Sequence, residues 1–311
     1  MSDLFTPMFL TTFIVGCIMG AMPLMIAAVG ETIGEAAGIL NLGIEGVMLV
    51  GAYVGYVVAL STHSLWLGML GGAVAGAVAS LVMLVLNVWL GLNQIVLGIA
   101  VTLAGTGITS VLFYQLYGSN TPRVPDVFEW QIPGLSMIPV IGPSLFSQSP
   151  IFWVCVLLVV AAAWALKKTN WSLSIRAAGQ MPSSLDAAGG SVMRTRSQAV
   201  LVGGVFAGLG GAYLSLIATG AFTPVITNGI GFVAIIVTMV TNGRIIWVAA
   251  MSLLFGLSVS LGTVLQLTSL NIPTDVIGML PYVVVMAVLV IFARSVYISP
   301  ALAAPYTRGA R

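Results

Sequence analysis

The chain is written in long apolar blocks separated by short polar punctuation, and most of the blocks are about as long as a bilayer is thick. Runs dominated by Leu, Val, Ile, Ala, Met and Gly cover 8–30, 44–60, 65–86, 93–115, 150–166, 198–219, 229–243, 245–265 and 275–293. About 20 apolar residues in an α-helix cross a hydrocarbon core of roughly 30 Å. The pattern therefore predicts an all-α bundle of about nine transmembrane spans, forming one domain over residues 1–311. The block 229–243 is short for a span and reads as a broken or re-entrant helix. Within the blocks small residues recur four apart, at Gly68, Gly72, Gly76 and Ser80, at Gly204, Gly208 and Ala212, and at Gly16 and Gly20. Such stripes let helices approach closely where lipid supplies no hydrophobic drive, so they predict a compact bundle.

Composition supports this class. Hydrophobic residues make up 59% of the 311 and charged residues only 6%, against about 25% charged in a soluble domain. From Gly46 to Pro122 there is no Asp, Glu, Lys or Arg. In such a chain a net charge of +2 is an orientation signal and gives no reason to expect a nucleic-acid partner; membrane lipid is the expected surrounding. Cys17 and Cys155 fall inside apolar runs and are expected to be buried, inert thiols. The N-terminus lacks a basic region, so the first span is expected to act as the insertion signal rather than as a cleaved leader.

The basic residues are unevenly placed. Five of the ten, Lys167, Lys168, Arg176, Arg194 and Arg196, lie in one interrupting segment with a single acid, Asp186. Basic loops stay in the cytoplasm, so this loop at 167–197, the tail 294–311 with Arg294, Arg308 and Arg311, and Arg244 are assigned to that side. The Pro-rich stretch 116–149, with Arg123 against Asp126 and Glu129, goes outside. Counting back through nine spans puts the N-terminus, with Asp3, outside as well. The basic segment is long enough to hold a short surface helix.

Polar residues inside the apolar pattern mark candidate sites. Glu31, Glu35 and Glu45 cluster around the first connection. Each acid at a span centre costs about 2.5–3.5 kcal/mol on insertion scales, so they mark a helix end, a cavity or a pathway. Asn41 can cap the second span, with Glu45 in its first turn. Alternatively Glu45 serves a half-helix aimed at the translocation path, or the acids couple protons. Asn93 and Gln94 open the fourth span, ahead of Thr102, Thr106 and Thr109. Tyr213, Ser215, Phe222, Thr223, Thr227 and Asn228 gather aromatic, amide and hydroxyl groups at the mouth of the sixth and seventh spans. Asn41, Glu45, Asn93, Gln94, Tyr213, Phe222, Thr223 and Asn228 are the residues expected to line or flank a path for an uncharged polar solute.

Catalytic patterns are missing. The only lysines, Lys167 and Lys168, do not complete a phosphate-binding Gly-x-x-x-x-Gly-Lys-Ser/Thr. Gly208-Leu209-Gly210-Gly211 lies within a span and is no dinucleotide fingerprint. His63, the one histidine, has no metal-ligand partners nearby and is expected in a short outer loop. No cofactor is expected.

Several motifs together resemble the permease subunit of ATP-binding-cassette importers of the ribose/branched-chain amino acid type, in its nucleoside and simple-sugar branch. They are Glu35-Ala36-Ala37-Gly38-Ile39-Leu40-Asn41-Leu42-Gly43-Ile44-Glu45-Gly46, Asn93 to Ala100, Ile175 to Gly179 with Asp186 to Gly189, Gly211 to Leu216 with Phe222-Thr223-Pro224, Leu280-Pro281-Tyr282, and Pro305-Tyr306 with Arg308-Gly309. The chain departs from the family pattern at Ala36, at Gln180 to Ser184 and at Thr238 to Arg244. The resemblance implies a type II importer in a bacterial inner membrane, with no enzymatic activity in this chain. It also implies an ATP-binding subunit, an extracytoplasmic solute-binding protein and a second, related permease chain paired as a heterodimer. Residues 181–190 would form the coupling helix, starting at Pro182 and ending at Gly189 or Gly190. Arg176, Ser184, Asp186, Ala187, Ala188 and Gly189 would serve the ATPase contact. The alternative class is an ion-coupled secondary transporter, for which only Glu31, Glu35 and Glu45 are available as coupling groups.

Overall fold

The computed structural model describes residues 6–128, 130–131, 134–267, 273–292, 299–304 and 306. Asp3, Glu129, Arg294, Pro305, Arg308, Gly309 and Arg311 lie outside the described residues. In chain order the helices are α1 (Pro7–Ala36), α2 (Ile44–Thr62), α3 (Leu65–Met83), α4 (Gln94–Tyr117), α5 (Ile141–Phe146), α6 (Pro150–Lys168), α7 (Asn170–Gln180), α8 (Pro182–Ala187), α9 (Val192–Tyr213), α10 (Ile230–Val240), α11 (Ile245–Leu267) and α12 (Thr274–Phe292). α3 and α9 each run on into a π-helical turn, Leu84–Trp89 and Leu214–Ala218.

Local sequence explains most helix ends. Thr6, Ser64, Asn93, Ser149 and Ser191 stand before α1, α3, α4, α6 and α9, and each accepts a hydrogen bond from a first-turn N–H, which satisfies donors the helix itself cannot. Pro7 and Pro150 occupy first-turn positions where a missing N–H costs nothing. Lys167 and Lys168 close α6, at the end where the helix dipole favours cations.

Among the described residues eight helices, counting α3 and α9 with their π-turns, are long and apolar enough to cross a membrane. The ninth expected crossing, read as broken or re-entrant, is made in part by α10, whose 11 residues rise only about 16 Å, roughly half a hydrocarbon core. Two further boundaries shift. α1 continues past residue 30 through Glu31 and Glu35, so these acids sit in a helix and not in a connection. The 167–197 loop is mostly helical, with α7 and α8 inside it and α9 starting early enough to take Arg194 and Arg196 into its first turns.

The bundle centre is α1, α2 and α9, whose most apolar 18-residue stretches are 61, 67 and 72% buried, against 17% for α4 and for α12. The outer helices turn Leu103, Val111, Leu157, Val160, Val290 and Ile291 outward, the surface a lipid-facing helix needs. Glycine makes the central crossings possible. A methyl group at Gly51 would run into the Gly208 backbone, one at Gly76 into Gly204 and Gly208, and one at Gly211 into the Met48 carbonyl. The stripes therefore interlock α2, α3 and α9, while Gly16 and Gly20 bring α1 against Ser260, Val259 and Gly256 of α11.

Candidate functional site

Between α9 and α10 the chain re-enters the bundle without regular structure. Gly220 lies beside the 116–149 stretch, its carbonyl accepting from Val124 N–H at 3.1 Å. The segment then descends, so that Ile230 lies by Met19 and Gly20, near the middle of α1. α10 completes the crossing, with Thr238 donating to the Ala28 carbonyl at 3.1 Å and Gly243 lying beside Thr32. Irregular backbone at such depth survives only where protein satisfies it.

Glu45 does much of this. It is 5% exposed and sits in the first turn of α2. Its Oε1 accepts from the Thr227 hydroxyl at 2.6 Å and from Gly229 N–H at 2.7 Å, and its Oε2 accepts from Gly231 N–H at 2.7 Å. Two helix N-termini, of α2 and α10, thus converge on one carboxylate, each end favouring negative charge. The approach requires glycine: a Cβ at Gly231 would stand 2.7 Å from the Glu45 backbone, and Gly229 has φ +86°.

The connection from α1 to α2 is held by side chains in the same way. Glu31 Oε1 accepts from Asn41 N–H at 3.0 Å, and Gln94 Oε1 accepts from Leu40 N–H at 2.8 Å. Thr102 donates to the Leu42 carbonyl at 3.2 Å. Asn41 was expected to cap α2. The position before the helix is instead Gly43, without a side-chain cap, and Asn41 Oδ1 accepts from Gly43 N–H at 3.1 Å inside the turn. Asn93 caps α4 through Oδ1, accepting from Ile95 and Val96.

The remaining path candidates separate. Tyr213 is fully buried, its hydroxyl 3.9 Å from Met19 Sδ. Phe222 is buried among Tyr53, Tyr56 and Phe113, with ring centroids 5.3–6.0 Å away, and Tyr56 donates to the Pro122 carbonyl at 2.6 Å. Thr223 and Asn228 are exposed. Of the eight, only Asn228 borders the cavity of about 410 Å³ enclosed by α1, α9, α10, α11 and α12. Phe255, Thr263, Gln266 and Tyr282 also line it. Phe255, Thr263 and Gln266 are not among the expected site residues, although Thr263 and Gln266 stand, with Ser252, Ser258 and Ser260, among the few polar positions of α11. A second cavity, of about 340 Å³, lies at the basic end of the bundle between Glu35, Arg176, Asn242 and Arg244.

The basic segment forms an elbow. Arg176 of α7 donates to the Leu166 carbonyl at 3.1 Å. α8 begins with Pro182 at its first position, and Gly189 turns the chain with φ +83° while Gly190 N–H returns to the Leu185 carbonyl at 2.9 Å, the local ending expected from the sequence. Only Leu185 of α8 is buried, packing with Ala178, Val192 and Tyr306. Ser184, Ala187, Ala188 and Gly189 are exposed, and Asp186 is half-buried.

No local sequence pattern signals what Arg196 does. Buried to 5% exposure, it donates to the carbonyls of Ala304 at 2.8 Å, Ala178 at 3.3 Å and Ala301 at 3.4 Å. Ala303 N–H reaches the Gly38 carbonyl at 3.0 Å, and Ala301 N–H and the Ser299 hydroxyl both reach Gly179. The segment 299–304 thereby ties the end of α1, the end of α7 and the start of α9 into one platform behind α8.

Residues 13–292 match the family described as branched-chain amino acid transport system / permease component. The chain is 32% identical over 305 residues to the guanosine ABC transporter permease protein NupQ of Bacillus subtilis, covering 94% of this chain and 95% of that one. It is 34% identical over 242 residues to the putative glucose ABC transporter permease protein TsgC13 of Haloferax volcanii, covering 77% and 73%. It is 32% identical over 280 residues to the nucleoside ABC transporter permease protein NupC of Lactococcus lactis, covering 87% and 88%.

Proposed function

The chain belongs to the family of branched-chain amino acid transport system permease components, and on that premise we propose that it forms the translocation path of an ATP-driven importer for a nucleoside or simple sugar. The names of the relatives support the solute class. The observation that carries the mechanism is α8. It is a six-residue helix standing off the bundle on the basic side, with small exposed residues outward and one leucine inward. A separate ATP-binding subunit receives this face, an extracytoplasmic solute-binding protein delivers the solute, and a related second permease completes the path as a heterodimer in a bacterial inner membrane.

ATP binding closes the ATPase and pushes α8. The platform tied by Arg196 carries the displacement to α1, α7 and α9 together, because these elements share hydrogen bonds with segment 299–304. A ligand drives such a change only by favouring one state over the other by several kcal/mol. ATP hydrolysis stays with the partner, since no phosphate-binding lysine motif is present. A cysteine introduced at Ser184, in a chain with Cys17 and Cys155 replaced by alanine, should cross-link to the ATPase subunit in membranes. Failure of every position from Pro182 to Gly190 to do so would remove α8 as the contact.

A further inference from the structure

The 410 Å³ cavity is within the about 300–1,000 Å³ typical of small-molecule sites. It borders Gly16 and Met19 in the first half of α1 and Thr263 and Gln266 in the last turns of α11, which places its mouth at the end of the bundle opposite the basic elbow. Its depth ends at Asn228, Phe255 and Tyr282. The irregular descent from Gly220 to Gly229 creates it: where a regular helix would fill the outer half of this crossing, the chain leaves room.

The lining is chemically selective. None of its described residues is charged. Phe255 and Tyr282 meet edge to face, with centroids 6.3 Å apart and planes at 76°; Tyr282 borders the open space, and Phe255, only 3% exposed, packs at the cavity wall behind it. Tyr282 donates its hydroxyl proton to the Asn228 carbonyl, which holds that ring across the floor. Gln266 supplies an amide and Thr219 and Thr263 supply hydroxyls. Pro23 and Pro281 have no N–H to give to the carbonyls of Met19 and Ile277, four residues back, and both of those residues line the cavity. Beyond Phe255 the way is closed by a dry seam of Ile236, Val237, Val240, Met251, Leu254 and Val285, with only about 10 Å³ of space.

We propose that this cavity is the solute site of the permease, and that it takes a neutral nucleoside rather than a sugar or a nucleotide. The Tyr282 ring, held in place by Phe255 and by its bond to the Asn228 carbonyl, offers a surface for a flat base, a contact worth about 1–3 kcal/mol per base in proteins that stack bases. The amide and hydroxyls suit base edges and ribose. Without a cation in the lining, a phosphate entering the cavity would lose its hydration uncompensated. The apolar seam is the closed gate beneath, and the solute waits above it until the bundle opens.

The proposal rests on the transport reading above, and one experiment separates the two. Guanosine and glucose uptake are measured in proteoliposomes holding the assembled importer, as wild type and with Gln266→Leu, Phe255→Leu or Gly278→Phe. Gly278 lines the cavity and a Cβ there meets nothing within 4 Å, so phenylalanine is expected to fill the site without disturbing the fold; gel filtration confirms assembly of each variant. The expected result is guanosine uptake by wild type, with kcat/KM at a fixed level of solute-binding protein lowered about tenfold or more by Gln266→Leu or Phe255→Leu. Uptake should be abolished by Gly278→Phe. Assembled variants that carry guanosine with wild-type kcat/KM would overturn the site while leaving the transport reading intact. Wild-type uptake of glucose in preference to guanosine would overturn the nucleoside assignment. A wild-type importer that moves neither solute with ATP contradicts the transport reading itself.

Discussion

Glu45 joins residues 182–186 positions apart in sequence, through Thr227, Gly229 and Gly231, and its charge is held by donors alone. Substituting Glu45→Gln keeps the shape but turns one acceptor oxygen into an N–H donor facing donors already there. Hydrogen bonds to a charged group contribute about 1.5–3 kcal/mol each, so the variant should lose several kcal/mol at the start of α10. Thr227→Val should cost less, because one donor is removed and two remain. Thermal unfolding of both purified variants in detergent checks the order; Glu45→Gln melting with wild type would return the carboxylate to a role outside the fold. At this scale the sequence was legible where the chemistry is local. Pro182 opening α8 and Gly189 closing it depend on neighbours within a few residues, whereas Asn41, expected as a cap, holds the turn ahead of α2 instead. The partners of Glu45 and Arg196 are more than 100 residues away in part, and no local pattern encodes them.

Elements were legible to the extent that hydrophobic length decides them. The expected spans match the helices within a few residues at most ends, because burial in lipid and backbone satisfaction leave helices as the only choice. α10 is the exception. Its block is short for a span and already reads as broken or re-entrant; Asn228 and Gly229 take positive φ and Glu45 fixes the helix start beyond them, so half the crossing stays irregular. The π-turns after α3 and α9 had no readable signal. The small-residue stripes, read only as packing, hold the tightest crossings. Gly208 is met by Gly51, Gly72 and Gly76, so Gly208→Leu must force α2, α3 and α9 apart. Overpacking commonly costs about 1–3 kcal/mol, and here the obstacle is backbone, which cannot rotate away. Expression and gel filtration should show loss of folded chain, whereas Gly107→Leu, where a Cβ meets nothing within 4 Å, should leave the monodisperse peak unchanged.

For the whole molecule, the bundle places an uncharged cavity at one end, an exposed helix at the other, and a platform of hydrogen bonds behind that helix. Membership of the permease family fits this division, in which this chain guides the solute and another supplies the energy. An ion-coupled transporter would instead draw on Glu31, Glu35 and Glu45, but Glu31 and Glu45 are bound to backbone N–H groups that position the α1–α2 connection and α10. The most direct test is guanosine uptake by proteoliposomes containing this chain with its permease and ATPase partners, set against the same liposomes lacking the ATPase. With the solute-binding protein outside and ATP inside, uptake should appear only when the ATPase is present and should be indifferent to a proton uncoupler. Uptake without the ATPase, following an imposed proton gradient and abolished by the uncoupler, would contradict the account.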